Sequence, residues 1–168
     1  LAALHRVDSL MSNWTQTSEV ARINRTAARG EVAVQPEVAG VIGFAMHVAD
    51  QSGGAFDITV EPLVRLWGFL GGTPRVPSQA EIERALASTG YDKLRFDAAT
   101  GTIRFERPGV KIDLGGIAKG YGVDAVARIL RATGMRDALV NLSGNMVAMG
   151  DAAGKSGWTV GIRDPAGK

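Results

Sequence analysis

Cysteine is absent from this chain, and histidine occurs only twice, as His5 and His47. The first absence removes disulfides, thiolate metal sites and a cysteine nucleophile. The second leaves little material for a histidine-rich zinc site or a Ser-His-Asp triad. His47 falls in the apolar-periodic run Val38 to Ala49 and reads as a packed or half-exposed helix residue rather than a catalyst. Aromatic residues are scarce, at 6%, and do not alternate with basic ones, so a stacking platform for nucleic acid is not expected. The 19 basic residues are scattered singly against 17 acidic ones, for a net charge of +2, and form no nucleic-acid arm. No apolar run reaches membrane-spanning length and no secretory leader is visible. The chain opens at Leu1 inside a helical pattern and stops at Lys168 just after a strand-like segment. It reads as part of a longer protein, truncated at both ends.

What is present suits one domain with a sizeable core: 168 residues, 45% apolar and 21% charged. Leu4, Val7 and Met11 keep helical spacing over residues 1–12, and Ser18-Glu19 opens a short helix with Val20 and Ile23 inward. Pro36 and Gly53-Gly54 bracket a third helix. Ser78-Gln79-Ala80-Glu81 has the pattern of a capping box and opens a helix with Ile82, Ala85 and Leu86 on one face. Leu94 to Phe96 and Ile103 to Phe105 alternate around the polar loop Asp97 to Gly101, which predicts a β-hairpin. Val110, Ile112 and Leu114 alternate into a glycine-rich turn. A helix with Val123, Val126, Ala127 and Leu130 inward then runs to Gly134. Ala138 to Leu142, Met146 to Met149 and Trp158 to Ile162 read as strands of an antiparallel sheet, and Gly71 to Pro77 as a surface loop. The expected class is α+β, a mostly antiparallel sheet packed against helices, with residues 1–168 as a single domain.

The most informative stretch is Asp113-Leu114-Gly115-Gly116-Ile117-Ala118-Lys119-Gly120-Tyr121-Gly122-Val123-Asp124. It joins a strand-like run to a helix through glycines that let the backbone turn sharply and approach a ligand. The helix start offers free N–H groups, and Lys119 adds a point charge, so an anion such as phosphate suits it. A tight connection capped by Asp113 explains the same residues, and Asp124 fits a surface acid equally well. Some 60 residues upstream lies Ser52-Gly53-Gly54-Ala55-Phe56-Asp57-Ile58-Thr59-Val60-Glu61-Pro62-Leu63-Val64-Arg65-Leu66-Trp67-Gly68-Phe69. There Asp57 precedes Thr59 in a turn and can simply cap backbone N–H groups. Trp67 and Phe69 follow an apolar run and are expected in the core. Trp14, among Asn13, Thr15, Gln16 and Thr17, stands in a polar context unlike that of a core tryptophan, and can stack on a flat ligand.

Together these segments resemble the ApbE-like FAD:protein FMN transferases. Three further matches keep the family's order: Met11-Ser12-Asn13-Trp14 with Ser18 to Asn24, Ala138 to Asn145, and Trp158 to Pro165. The resemblance implies a T-fold-like flavin transferase domain. It implies an enzyme that moves the FMN half of FAD, with Mg2+, to a Thr or Ser hydroxyl of an acceptor flavoprotein in a membrane redox complex, releasing AMP. An FAD pyrophosphatase and a non-catalytic flavin-binding module are the alternatives on the same scaffold. The flavin contacts it implies are Trp14, Ala55, Phe56, Asp57, Asp113 and Lys119, and the backbone carbonyl of Gly116 is implied as a metal ligand. Glu61 stands where the family usually has glycine. A carboxylate beside a pyrophosphate is unfavourable, so Glu61 is expected to point elsewhere. The remaining metal ligands and catalytic residues are expected beyond Lys168. A periplasmic or cell-envelope location is implied too, with any membrane association through an N-terminal anchor outside this chain.

Overall fold

The computed structural model describes residues 1–162 and Asp164. These form two compact units, residues 1–118 and 119–168. In the first, helix α1 spans Ala2–Met11, α2 Glu19–Thr26 and α3 Pro36–Gln51, with the short strand β1, Val32–Ala33, between α2 and α3. A 3-10 turn, Ile58–Val60, runs directly into α4, Glu61–Leu66, and α5 follows at Gln79–Leu86. Strands β2, Leu94–Asp97, and β3, Thr102–Phe105, form the expected hairpin. With β1 they make a three-stranded antiparallel sheet in the order β1-β3-β2, with Val32 opposite Ile103 and Leu94 opposite Phe105.

Local chemistry fixes the helix boundaries. Ser18 caps α2, its hydroxyl accepting from the Ala21 N–H at 3.0 Å. Pro36 sits at the start of α3, where its missing N–H costs nothing. Glu81 closes the capping box of α5 by accepting from the Ser78 N–H at 2.8 Å. The core of this unit is Val20 and Ile23 from α2, Val38, Ile42 and Ala45 from α3, Ile103 and Phe105 from β3, and Ile58.

The second unit holds α6, Ala118–Ala132, whose first residue is the last of the first unit, then β4, Ala138–Leu142, and β5, Asn145–Met149. The two strands pair antiparallel, Ala138 opposite Met149 and Leu142 opposite Asn145. Ser143 and Gly144, at φ 50° and 91°, make the two-residue turn between them. Val123 and Ala127 are buried on α6, and the helix stops before Gly134, at φ 80°.

Four expectations need correction. Phe69 is 61% exposed and Trp67 half-buried, because Gly68, at φ 78°, turns the chain at the end of α4 and hands the core position to Leu70. Leu86 is exposed at the last position of α5. Residues 110–114 bury Val110, Ile112 and Leu114 as expected but, among the described residues, pair with no strand. Residues 158–162 are likewise not a strand. The indole of Trp158 donates to the Met149 carbonyl at 2.9 Å, and Val160 and Ile162 are exposed. Arg163 and Pro165 of the same motif lie outside the described residues. Among the described residues, no helix is long and apolar enough to cross a membrane.

Candidate functional site

The glycine turn is held in place by two asparagines. Asn24, on α2, accepts from the Ile112 N–H at 2.8 Å, and its amide donates to the Ile112 carbonyl at 2.9 Å. Asn13 donates to the same carbonyl at 2.9 Å and accepts from Asn24 at 3.1 Å. One residue later the Asp113 N–H donates to the Ile58 carbonyl at 2.7 Å. At Ile112 and Asp113 the segment thus satisfies its backbone through two side chains and the Ile58 carbonyl rather than through a neighbouring strand. The link from Asp113 to Ile58 also brings the two glycine-flanked motifs side by side.

Between them lies a cavity of about 310 Å³ lined by Ala55, Phe56, Asp57, Ile58, Val60, Val64, Asp113, Gly115 and Gly116. Its volume is in the range of small-molecule sites, and its make-up, mostly apolar with two carboxylates, is typical of them. The Asp113 Oδ1 accepts from the Gly115 N–H at 2.6 Å. A Cβ on Gly115 would lie 2.9 Å from that oxygen, so a side chain there would displace the Asp113 carboxylate from its turn-capping position. The other Asp113 oxygen has no hydrogen bond within the described protein and remains free to accept from a ligand. Asp57 accepts from both the N–H and the hydroxyl of Thr59, each at 2.7 Å. The Thr59 hydroxyl in turn accepts from the Gly90 N–H at 2.7 Å. Both aspartates therefore cap turns and line the cleft at once, and the two readings of each are compatible.

Five of the expected site residues, Ala55, Phe56, Asp57, Asp113 and Gly116, share this cleft. Trp14 does not line it. Its side chain is 73% exposed, and it follows directly the Asn13 that grips Ile112. Lys119 is exposed in the first turn of α6 and belongs to the second unit, as does the exposed Asp124. Glu61 is buried and absent from the cleft lining. Asn13, Asn24 and Thr59, which fix the cleft walls, carry roles that the sequence reading did not give them. For Asn24 a signal exists: it is a polar residue that follows Ile23 directly on a helix that buries Val20, Ala21 and Ile23 beside Glu19. Among the described residues no three His, Asp or Glu side chains converge as metal ligands.

The family model of the ApbE family matches residues 1–168, the whole chain. The chain belongs to the ApbE family. It is 35% identical over 164 residues to an FAD:protein FMN transferase of Klebsiella pneumoniae, covering 96% of this chain and 49% of that protein. The flavin transferase ApbE of Vibrio cholerae superposes with a TM-score of 0.91 at 31% identity, over 98% of this chain and 53% of that one. The ApbE protein of Thermotoga maritima superposes with a TM-score of 0.90 at 38% identity, over 99% and 55%. The chain thus spans about half the length of the curated ApbE relatives it matches, and its α+β fold is theirs.

Proposed function

We propose that the protein to which this chain belongs is a magnesium-dependent FAD:protein FMN transferase, and that the 310 Å³ cleft is where it holds the flavin. The observation that carries the reading is the meeting of Ala55 to Asp57 with Asp113 to Gly116 in one cavity, in a chain of the ApbE family. Phe56, Val60 and Val64 offer apolar surface to a flat ring system, and the free Asp113 oxygen can accept from a flavin or ribityl donor. Trp14, exposed beside the clamp, stacks on the bound ligand. Lys119 supplies a cation for a phosphate at the start of α6. In this reading the two compact units are parts of one flavin transferase domain.

The reaction joins a Ser or Thr hydroxyl oxygen of the acceptor to the phosphorus of the FMN half. The pyrophosphate P–O bond breaks, AMP leaves with the bridging oxygen, and the hydroxyl proton goes to a base. The Gly116 carbonyl would be this chain's donor to a bound Mg2+, which would supply charge neutralisation at the pyrophosphate. The acceptor is a flavoprotein of a membrane redox complex, and the place of action is the periplasm or cell envelope. The test is to incubate the full-length protein with FAD, Mg2+ and acceptor peptides, then weigh each peptide. An added FMN on a Ser- or Thr-containing peptide is expected. Release of free FMN with unmodified peptide would replace transfer by hydrolysis, and unchanged FAD would leave a binding module.

A further inference from the structure

Glu61 is an expensive residue for its position. It is 2% exposed, in the first turn of α4. Its Oε1 takes both the Nε and the Nη2 of Arg65, at 2.9 and 2.8 Å, while its buried Oε2 has no hydrogen-bond partner. A carboxylate out of water with half its acceptors unused is destabilising, and a well-packed apolar pair of the same size commonly serves stability as well or better.

What surrounds the pair gives it a task. A separate cavity of about 70 Å³ is lined by Glu61 and Arg65 from α4, by Arg25, Lys111 and Gln16, and by Asn13 and Asn24, the two amides that grip Ile112. Glu61 is the single acid among three cations there. The other stripe of the same chain segment, Val60 and Val64, lines the flavin cleft. Positions 60 and 64 are one turn apart, and 61 and 65 form the adjacent stripe, about 100° further round. One short segment therefore has a face in the cleft and a neighbouring face in a charged cavity behind it.

We propose that Glu61 is a positioning residue for the cleft. Held by Arg65 and set among Arg25 and Lys111, its carboxylate fixes the rotation of α4 and with it the places of Val60 and Val64. The same cavity ties α4 to the asparagines that set Asp113. The inference rests on the cleft being the flavin site.

The test uses the full-length protein and two readouts, thermal melting and FAD affinity from flavin fluorescence. In the double variant Glu61→Leu/Arg65→Met the melting temperature is expected to hold or rise, while FAD binds about tenfold more weakly, as for groups that couple through a shared backbone shift. With acceptor peptide, KM for FAD rises and kcat is kept. Unchanged FAD affinity in the folded double variant overturns the positioning role and leaves the cleft reading standing. If the double variant does not fold, Arg65→Lys decides. It keeps the charge but loses the two-pronged grip, so weaker FAD binding at an unaltered melting temperature supports the proposal, and wild-type affinity overturns it. Wild-type protein that binds no FAD overturns the cleft reading, and this inference with it.

Discussion

In residues 110–114 three alternating side chains, Val110, Ile112 and Leu114, are fully buried, yet among the described residues no strand pairs with them. In β4 all five residues pair with β5, yet none is fully buried. The first segment is held from a distance, by Asn13, Asn24 and the Ile58 carbonyl. The second is closed locally, by a tight turn in which Asn141 accepts from the Gly144 N–H at 2.9 Å. The contrast separates two things that alternation encodes together: which side chains face inward, and who satisfies the backbone. In the cleft wall the backbone of Ile112 is left to two asparagine side chains and that of Asp113 to the Ile58 carbonyl, and together these set the position of Asp113.

Breaking the distant clamp should have the largest effect. Asn24→Ala removes three hydrogen bonds and leaves the buried Ile112 N–H without an acceptor. A loss of about 2–3 kcal/mol is expected, seen as a fall in melting temperature on the order of 5–10 °C. A shift within error would mean that segment 110–114 is held by burial alone. Trp14 comes next. Because it is exposed and follows the clamp, Trp14→Ala should weaken FAD binding by about 1 kcal/mol with little change in melting. Trp14→Phe should remove most of the flavin-induced quenching of tryptophan emission, with Trp67 and Trp158 as the remaining emitters. Equal quenching in wild type and Trp14→Phe would take Trp14 out of the site.

The locally closed hairpin should be forgiving. Leu139 and Met146 are partly exposed on β4 and β5, so Leu139→Thr and Met146→Thr are expected to cost no more than about 0.5 kcal/mol in denaturant unfolding. The smallest effect is a pH dependence at the cap of α5. Hydrogen bonds from Arg75, then from Ser78, lower the Glu81 carboxyl from 4.5 to about 2. A depressed folded-state value contributes stability above the unfolded value and loses it on acidification, so this contribution fades as pH falls from about 4.5 toward 2. Melting curves of wild type and Glu81→Gln should therefore converge in that window. Curves that stay parallel would remove the ion pair from the account.

Much of the fold could be read from local signals, because capping residues, helical spacing and hairpin turns act over a few positions. Ser18, Ser78 with Glu81, and Gly134 mark helix ends where the structure has them. The failures are tertiary. Phe69 and Leu70 are both apolar neighbours, and only the turn at Gly68 decides which of them is buried. Residues 158–162 carry an apolar pattern but find no strand partner among the described residues. In the site, the aspartates stand in the sequence as turn residues within three positions of a glycine, but their meeting depends on the Asp113 to Ile58 hydrogen bond across 55 positions, which no local pattern encodes. The asparagine clamp was missed for the same reason, since Asn13 and Asn24 act on a residue about 90 to 100 positions away.

Flavin binding in the cleft at Asp113 is tested by titrating FAD into full-length wild type and Asp113→Asn beside their melting curves. Asparagine keeps the shape and can still accept from the Gly115 N–H, but loses the charge and offers donors where the ligand needs an acceptor. In Asp113→Asn, FAD binding weakened by about tenfold is expected, with the melting temperature nearly unchanged. A large drop in melting temperature with wild-type FAD affinity would contradict it and leave Asp113 as a turn cap alone.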